Sequence, residues 1–214
     1  NGDGQADLGV IARADGRWYV WDLKGKPLLW ADRWGWDGAK TIAGDYNADA
    51  RSDEVVFDDT RGEWYIKSAR GDVIAWAHRW GWRGARPVGG DYDGDGQEDL
   101  AVFNGVTGGW FIESLSGPVL AWKNNWGWSE TIPVAGDYNG DGRYDQAVFD
   151  GVRGEWYIKT LDGKILAWKK IWGWRNAHPV AGDYDGDNIG DLAVFNTDTG
   201  NWYIYALDGR ILAW

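Results

Sequence analysis

The sequence predicts an all-β protein, a five-bladed β-propeller of four-stranded antiparallel blades in which one blade, residues 7–30, lacks its innermost strand. Three observations predict it: a 46-residue repeat that accounts for the whole chain, four short apolar segments between turn signals in each repeat, and no apolar stripe at helical spacing. Gly-Asp-Tyr falls at 44–46, 90–92, 136–138 and 182–184, and Trp-Gly-Trp at 34–36, 80–82, 126–128 and 172–174. Of the 19 tryptophans only Trp21 stands outside four columns of this register, so the skewed composition is one unit multiplied. The units are 1–46, 47–92, 93–138, 139–184 and a shorter 185–214, read together as a single propeller domain spanning 1–214.

Within one unit the first strand is Pro87–Gly90, whose column Ala43, Gly89, Ala135 and Ala181 holds small residues suited to an innermost strand beside a narrow channel. The second, Asp99–Phe103, belongs to a column that is valine throughout (Val10, Val56, Val102, Val148, Val194), followed by Ile11 or phenylalanine. Both faces are therefore apolar and both must be covered by neighbouring blades. The third strand, Trp110–Ile112, and the fourth, Val119–Trp122, each carry a tryptophan column expected in blade-to-blade packing: Trp18, Trp64, Trp110, Trp156, Trp202 and Trp30, Trp76, Trp122, Trp168, Trp214. Glycines such as Gly62 and Gly71 mark the two hairpin turns, where positive φ is needed. The chain starts after a first strand and ends on a fourth, which leaves the three-stranded blade.

Composition removes several functions. With no cysteine there is no disulfide framework, no thiolate metal site and no cysteine nucleophile. With no methionine, Asn1 is expected to be an internal residue of a trimmed or longer chain with flanking domains. No apolar run is long enough for a membrane span. A net charge of −11 argues against a nucleic-acid partner. His78 and His178 are out of register with each other and are expected in packing or at the surface. The carboxylates recur in every unit, whereas a glycosidase needs one unique pair, so no enzyme is expected.

Those carboxylates lie in nine-residue loops between the first and second strands. The complete copies are Asp45, Asn47, Asp49, the Arg51 carbonyl and Asp53; Asp91, Asp93, Asp95, the Gln97 carbonyl and Asp99; Asp137, Asn139, Asp141, the Arg143 carbonyl and Asp145; and Asp183, Asp185, Asp187, the Ile189 carbonyl and Asp191. A partial copy keeps Asn1, Asp3, the Gln5 carbonyl and Asp7. Oxygens at positions 1, 3, 5, 7 and 9 around a bend at 6 can wrap one hard cation, and calcium suits them better than magnesium because it tolerates six to eight oxygens at flexible geometry. Turn formation by Asp-Gly alone would need only one or two such residues. Ala50 at the bend predicts a weaker copy, since alanine resists positive φ. Four filled loops, and a fifth if the partial one binds, would bring the charge towards neutrality.

The loops, together with the Asp-Leu-Ala-Val-Phe strand at 99–103, resemble the FG-GAP or VCBS repeats of bacterial extracellular proteins and the calcium-bearing blades of integrin α-subunit propellers. The literal Phe-Gly…Gly-Ala-Pro signature is absent. The resemblance implies calcium at the positions just named, a secreted or cell-surface location, and adhesion or ligand binding.

The Trp-Gly-Trp pairs fall between the fourth strand of one blade and the first of the next: Trp34 and Trp36, Trp80 and Trp82, Trp126 and Trp128, Trp172 and Trp174. If that segment is extended, both indoles point to one side across a bare glycine and form a sugar-stacking platform, as the inter-blade grooves of propeller lectins imply by analogy. The expected ligand is a carbohydrate or a protein of a cell surface or matrix. The competing expectation is that these indoles only wedge the blades apart, in a structural or adhesion domain of a larger surface protein.

Overall fold

A computed structural model describes residues 8–214, all of it strand, turn and loop with no helix among these residues. The strands group into five antiparallel sheets, the blades of a five-bladed β-propeller. The first has three strands among the described residues: β1 (Leu8–Ala12), β2 (Arg17–Trp21) and β3 (Pro27–Arg33). Four strands make each of the others: β4 (Lys40–Ile42), β5 (Glu54–Asp58), β6 (Glu63–Lys67) and β7 (Val73–Arg79); β8 (Arg86–Val88), β9 (Leu100–Asn104), β10 (Gly109–Glu113) and β11 (Val119–Asn125); β12 (Thr131–Pro133), β13 (Gln146–Asp150), β14 (Glu155–Lys159) and β15 (Ile165–Ile171); β16 (His178–Val180), β17 (Leu192–Phe195), β18 (Trp202–Tyr205) and β19 (Ile211–Ala213). Strand order within each sheet follows chain order, so every connection inside a blade is a hairpin.

The second strands form the core, with Val56, Val102, Val148 and Val194 fully buried, whereas Val10 in the first blade is 57% exposed. Each core cluster is one blade-to-blade interface. Phe57, Trp64 and Ile66 pack towards Leu100, Val102 and Phe111; Phe103, Trp110 and Ile112 pack towards Val148 and Tyr157; Phe149, Trp156 and Ile158 pack towards Leu192, Val194 and Tyr203. The hairpins between second and third strands are fixed by side chains at their first corner: Asn104 Oδ1 accepts from Val106 N at 2.9 Å and Thr107 N at 3.0 Å, Asp150 Oδ1 likewise from Val152 N and Arg153 N, and Asp58 Oδ1 from Thr60 N.

Three sequence expectations are corrected here. The first strands are three residues long and end before the small-residue column, because the chain turns at once into the acidic loop. Four of the fourth strands, β3, β7, β11 and β15, run past their tryptophans and carry a bulge, while β19 stops just before Trp214: in β11, Phe111 pairs with Trp122 and Trp110 with Asn124, which leaves Lys123 unpaired at φ 55°. Ala31, Ala77 and Lys169 occupy the same place with φ of 58°, 53° and 54°. The fourth-strand tryptophans are therefore not core residues: Trp30, Trp76, Trp122, Trp168 and Trp214 are 66%, 69%, 71%, 61% and 83% exposed, because they stand on the outermost strand with only one flank covered. Of the third-strand indoles expected in packing, Trp64, Trp110 and Trp156 are fully buried, whereas Trp18 is half-buried and Trp202 is 40% exposed.

The third correction concerns Trp-Gly-Trp, which is irregular backbone and not an extended strand. Its glycine is not bare. Gly81 has φ +146°, and a Cβ there would press on the Phe57 ring. The hairpin glycine Gly62, at φ +73°, lies directly against the Gly81 backbone, so a Cβ on Gly62 would overlap it. The same pairing recurs at Gly16 and Gly35, Gly108 and Gly127, and Gly154 and Gly173. Gly62→Ala is expected to cost at least roughly 2 kcal/mol in urea denaturation, from left-handed strain plus overlap. Gly71→Ala, at φ +98° with open space around it, should cost only about 1 kcal/mol.

Candidate functional site

The acidic loops share one backbone frame. Oδ2 of the position-9 aspartate accepts from the backbone N–H at position 2: Tyr46 to Asp53 at 2.7 Å, Tyr92 to Asp99 at 2.7 Å, Tyr138 to Asp145 at 2.9 Å and Tyr184 to Asp191 at 2.8 Å. Oδ2 of the position-1 aspartate accepts from the bend: Ala50 to Asp45 at 2.7 Å, Gly96 to Asp91 and Gly142 to Asp137 at 2.8 Å, Asn188 to Asp183 at 2.9 Å. The position-7 N–H of Arg51, Gln97, Arg143 and Ile189 holds Oδ1 of Asp49, Asp95, Asp141 and Asp187 in turn. Adjacent loops are joined as well, since Glu98 N–H donates to the Asp45 carbonyl at 2.7 Å and Tyr144 N–H to that of Asp91 at 2.6 Å.

This frame gathers carboxylate oxygens that repel one another. Asp91, Asp93 and Asp99 each offer an oxygen within 4.8 Å of the others, and so do Asp183, Asp185 and Asp191. Asn47 and Asn139 take the third position in the other two loops, and the Asn139 amide lies 3.3 Å and 3.4 Å from the two Asp145 oxygens. Burial pushes Asp53 and Asp145 up to about 6 and Asp99 to about 7, with the neighbouring loop aspartates adding to the rise. Asp53 Oδ1 is buried with no hydrogen-bond partner. A buried carboxylate oxygen without a donor, beside like charges, is what a divalent cation would satisfy, so the residues fit one. Two loops carry cations of the chain's own: Arg210 Nη2 lies 2.6 Å from Asp185 Oδ2, and Arg70 Nε 3.4 Å from Asp49 Oδ2. Sequence reading did not single out either arginine, because 25 and 21 residues separate them from their partners. The partial copy Asn1, Asp3, Gln5 and Asp7 lies outside the described residues.

The Trp-Gly-Trp indoles converge on the blade that follows them. The first of each pair donates its ring N–H to a third-strand carbonyl of that blade: Trp34 to Tyr65 and Trp80 to Phe111 at 3.2 Å, Trp126 to Tyr157 and Trp172 to Tyr203 at 3.1 Å. The second meets the ring of that same residue edge-on: Trp36 on Tyr65 at 5.1 Å, Trp82 on Phe111 at 4.8 Å, Trp128 on Tyr157 and Trp174 on Tyr203 at 5.0 Å between centroids. The exposed fourth-strand indole completes the set, with Trp76, Trp122, Trp168 and Trp214 each 5.8 Å from the first indole. Four grooves thus have one aromatic frame, and the last of them is a cleft of about 450 Å³ lined by Trp172, Trp174, Tyr203 and Trp214.

Behind each frame sits a polar pair 35 residues apart in the chain. Lys67 Nζ is 2.8 Å from Asp32 Oδ2, His78 Nε2 2.8 Å from Glu113 Oε2, Lys159 Nζ 2.7 Å from Asn124 Oδ1 and Lys170 Nζ 2.6 Å from the Tyr205 hydroxyl. The pairs vary from groove to groove while the indoles do not, and sequence reading missed them because they join two different repeats.

No family model matches the sequence, and no curated protein does. Among solved structures, the fold is similar to an Agrocybe aegerita lectin described as specifically recognising non-reducing terminal N-acetylglucosamine, at TM-score 0.61 and 18% identity over 98% of this chain and 62% of that one. It is also similar to virginiamycin B lyase from Staphylococcus aureus (TM-score 0.60, 11% identity, 99% of this chain and 67% of that one) and to BBS1N in its complex with ARL6DN (0.56, 16%, 97% and 63%). At these identities the likeness shows the fold, a five-bladed β-propeller, and this chain spans less than two thirds of the lectin's length.

Two predictions follow from the loops. The raised carboxyls keep their protons to higher pH when folded than when unfolded, where 3.8 is the ordinary value. The folded state then binds more protons between about pH 4 and 7, and metal-free stability falls as pH rises through that window. Calorimetry in chelator should find a higher melting temperature at pH 5 than at pH 7.5. In the Asp45 loop Ala48 and Ala50 sit at φ 57° and 62°. Ala48→Gly and Ala50→Gly should each stabilise the metal-free protein by about 1 kcal/mol in urea denaturation, by removing left-handed strain.

Proposed function

We propose that this protein is an extracellular, calcium-stabilised carbohydrate-binding module of the FG-GAP or VCBS type, with no catalytic activity, which holds sugars in its inter-blade grooves. The observation that carries this reading is the fourfold recurrence of one aromatic frame in which the outermost indole stays open to solvent. Trp76, Trp122, Trp168 and Trp214 meet the third-strand rings of Tyr65, Phe111, Tyr157 and Tyr203 edge-on, and such contacts leave a ring face free for the C–H face of a sugar. Trp34, Trp36 and their counterparts in the other three Trp-Gly-Trp pairs form the floor. Weak sites with a shared aromatic frame repeated around a ring favour multivalent binding, whereas chemistry needs one blade to differ in its reacting groups. The lectin neighbour supports the reading by analogy of fold.

A second reading, a structural or protein-interaction domain of a larger surface protein, draws on Trp80. It is 9% exposed and hydrogen-bonded to the next blade, as an indole that only joins blades would be.

Tryptophan fluorescence on titrating N-acetylglucosamine and a panel of glycans, with calcium present, separates the two. Saturable quenching is expected, and Trp122→Ala should weaken binding in its groove by about tenfold without loss of folding. A flat response across the panel would sink the carbohydrate reading. Excess chelator should lower the melting temperature, because a metal held only by folded loops stabilises the fold.

A further inference from the structure

The third groove differs from the first in charge at two of three matching positions. In the first, Lys67 is 8% exposed and has two counter-ions, Asp32 at 2.8 Å and Glu54 at 3.1 Å. Two repeats further along, the lysine is kept as Lys159 while each carboxylate is replaced by its own amide, Asn124 and Gln146. Lys159 is likewise 8% exposed, and its ammonium reaches only the Asn124 carbonyl oxygen and the face of Trp126, 5.2 Å from the ring centre. Burial pushes that ammonium below its ordinary value, and no carboxylate acts on it in return. Gln146 faces Lys159 across β13 and β14, is fully buried, and has no partner for either its amide nitrogen or its oxygen. Buried ammonium and amide groups are normally satisfied, so one charge and one donor stand unmatched in the same place.

We propose that the groove between the third and fourth blades binds a carboxylate, that of an acidic sugar such as a uronic acid, with Lys159 as its counter-ion and the Gln146 amide as a second donor. This rests on the carbohydrate reading above, since Trp126, Trp128 and Trp168 would hold the sugar ring while its acid group replaces the two carboxylates that this groove lacks. The first groove supplies those carboxylates internally and has no such vacancy in charge. Asn124 stands beside the ammonium on the half-buried side and holds it in position.

The test compares glucuronate, glucose and acetate by fluorescence and calorimetric titration of the whole calcium-loaded chain. Glucuronate is expected to bind about tenfold or more tightly than glucose, the usual worth of one charge-assisted hydrogen bond. Asn124→Asp with Gln146→Glu rebuilds the first groove's counter-ions, so it should raise the melting temperature and abolish the preference for glucuronate. Lys159→Met should abolish the preference without unfolding the protein, as its melting temperature will show. Glucose binding as tightly as glucuronate, or a preference that survives both variants, would overturn the carboxylate site and leave the carbohydrate reading intact. Acetate binding as tightly as glucuronate would overturn the sugar as its source and count against the carbohydrate reading itself.

Discussion

Backbone meets backbone where the hairpin glycine of each blade lies against the glycine of the departing Trp-Gly-Trp segment, and the rest of the ring is organised around that contact. Gly62 carbonyl accepts from Trp80 N–H at 3.1 Å, and the buried Trp64 indole donates to the Trp80 carbonyl at 2.7 Å, so the chain leaves the blade in one fixed direction. The Trp80 indole then hydrogen-bonds to the next blade. No side chain larger than hydrogen fits between the two glycines, which makes the direction of exit a matter of excluded volume as much as of hydrogen bonding. Because this lock occurs in four consecutive blades, the spacing of blades and the width of the grooves are set together.

The two ends of each blade answer different physical demands. At the loops, like charges are crowded onto a backbone that fixes them with its own N–H groups, an arrangement unfavourable until a cation is added. At the grooves, apolar rings are held half open by edge contacts and polar pairs lie behind them. The net negative charge of the chain is concentrated in the loops, while the polar pairs of the grooves differ in sign: Lys67 faces two carboxylates and His78 one, whereas Lys159 and Lys170 face neutral oxygens. Net charge alone is therefore a poor guide to what the protein binds.

Much of this was legible in the sequence. The 46-residue register predicts the number of blades, the buried second-strand valines of four of them and the alternating loop carboxylates, because each depends on local pattern repeated in order. The fourth-strand tryptophans were not legible: a residue after Leu-Ala reads as core, and only the bulge at Lys123 and the outermost position of β11 leave Trp122 in solvent. The glycine of Trp-Gly-Trp likewise reads as a gap, while its real reason is the backbone of another segment.

What the sequence determined by itself is the repeat and everything that follows from short-range chemistry: turns, strands, and loops whose oxygens lie at alternate positions. Tertiary structure alone decided which indoles pair across a junction and which lysine meets which partner. Lys67 and Lys159 are equivalent in the repeat, yet one faces two carboxylates and the other two amides; the sequence holds those residue changes, but only the fold brings partners from two different blades to one lysine. Such a meeting exists only once the chain has closed blade against blade, where distant residues share one buried volume and its charge must balance.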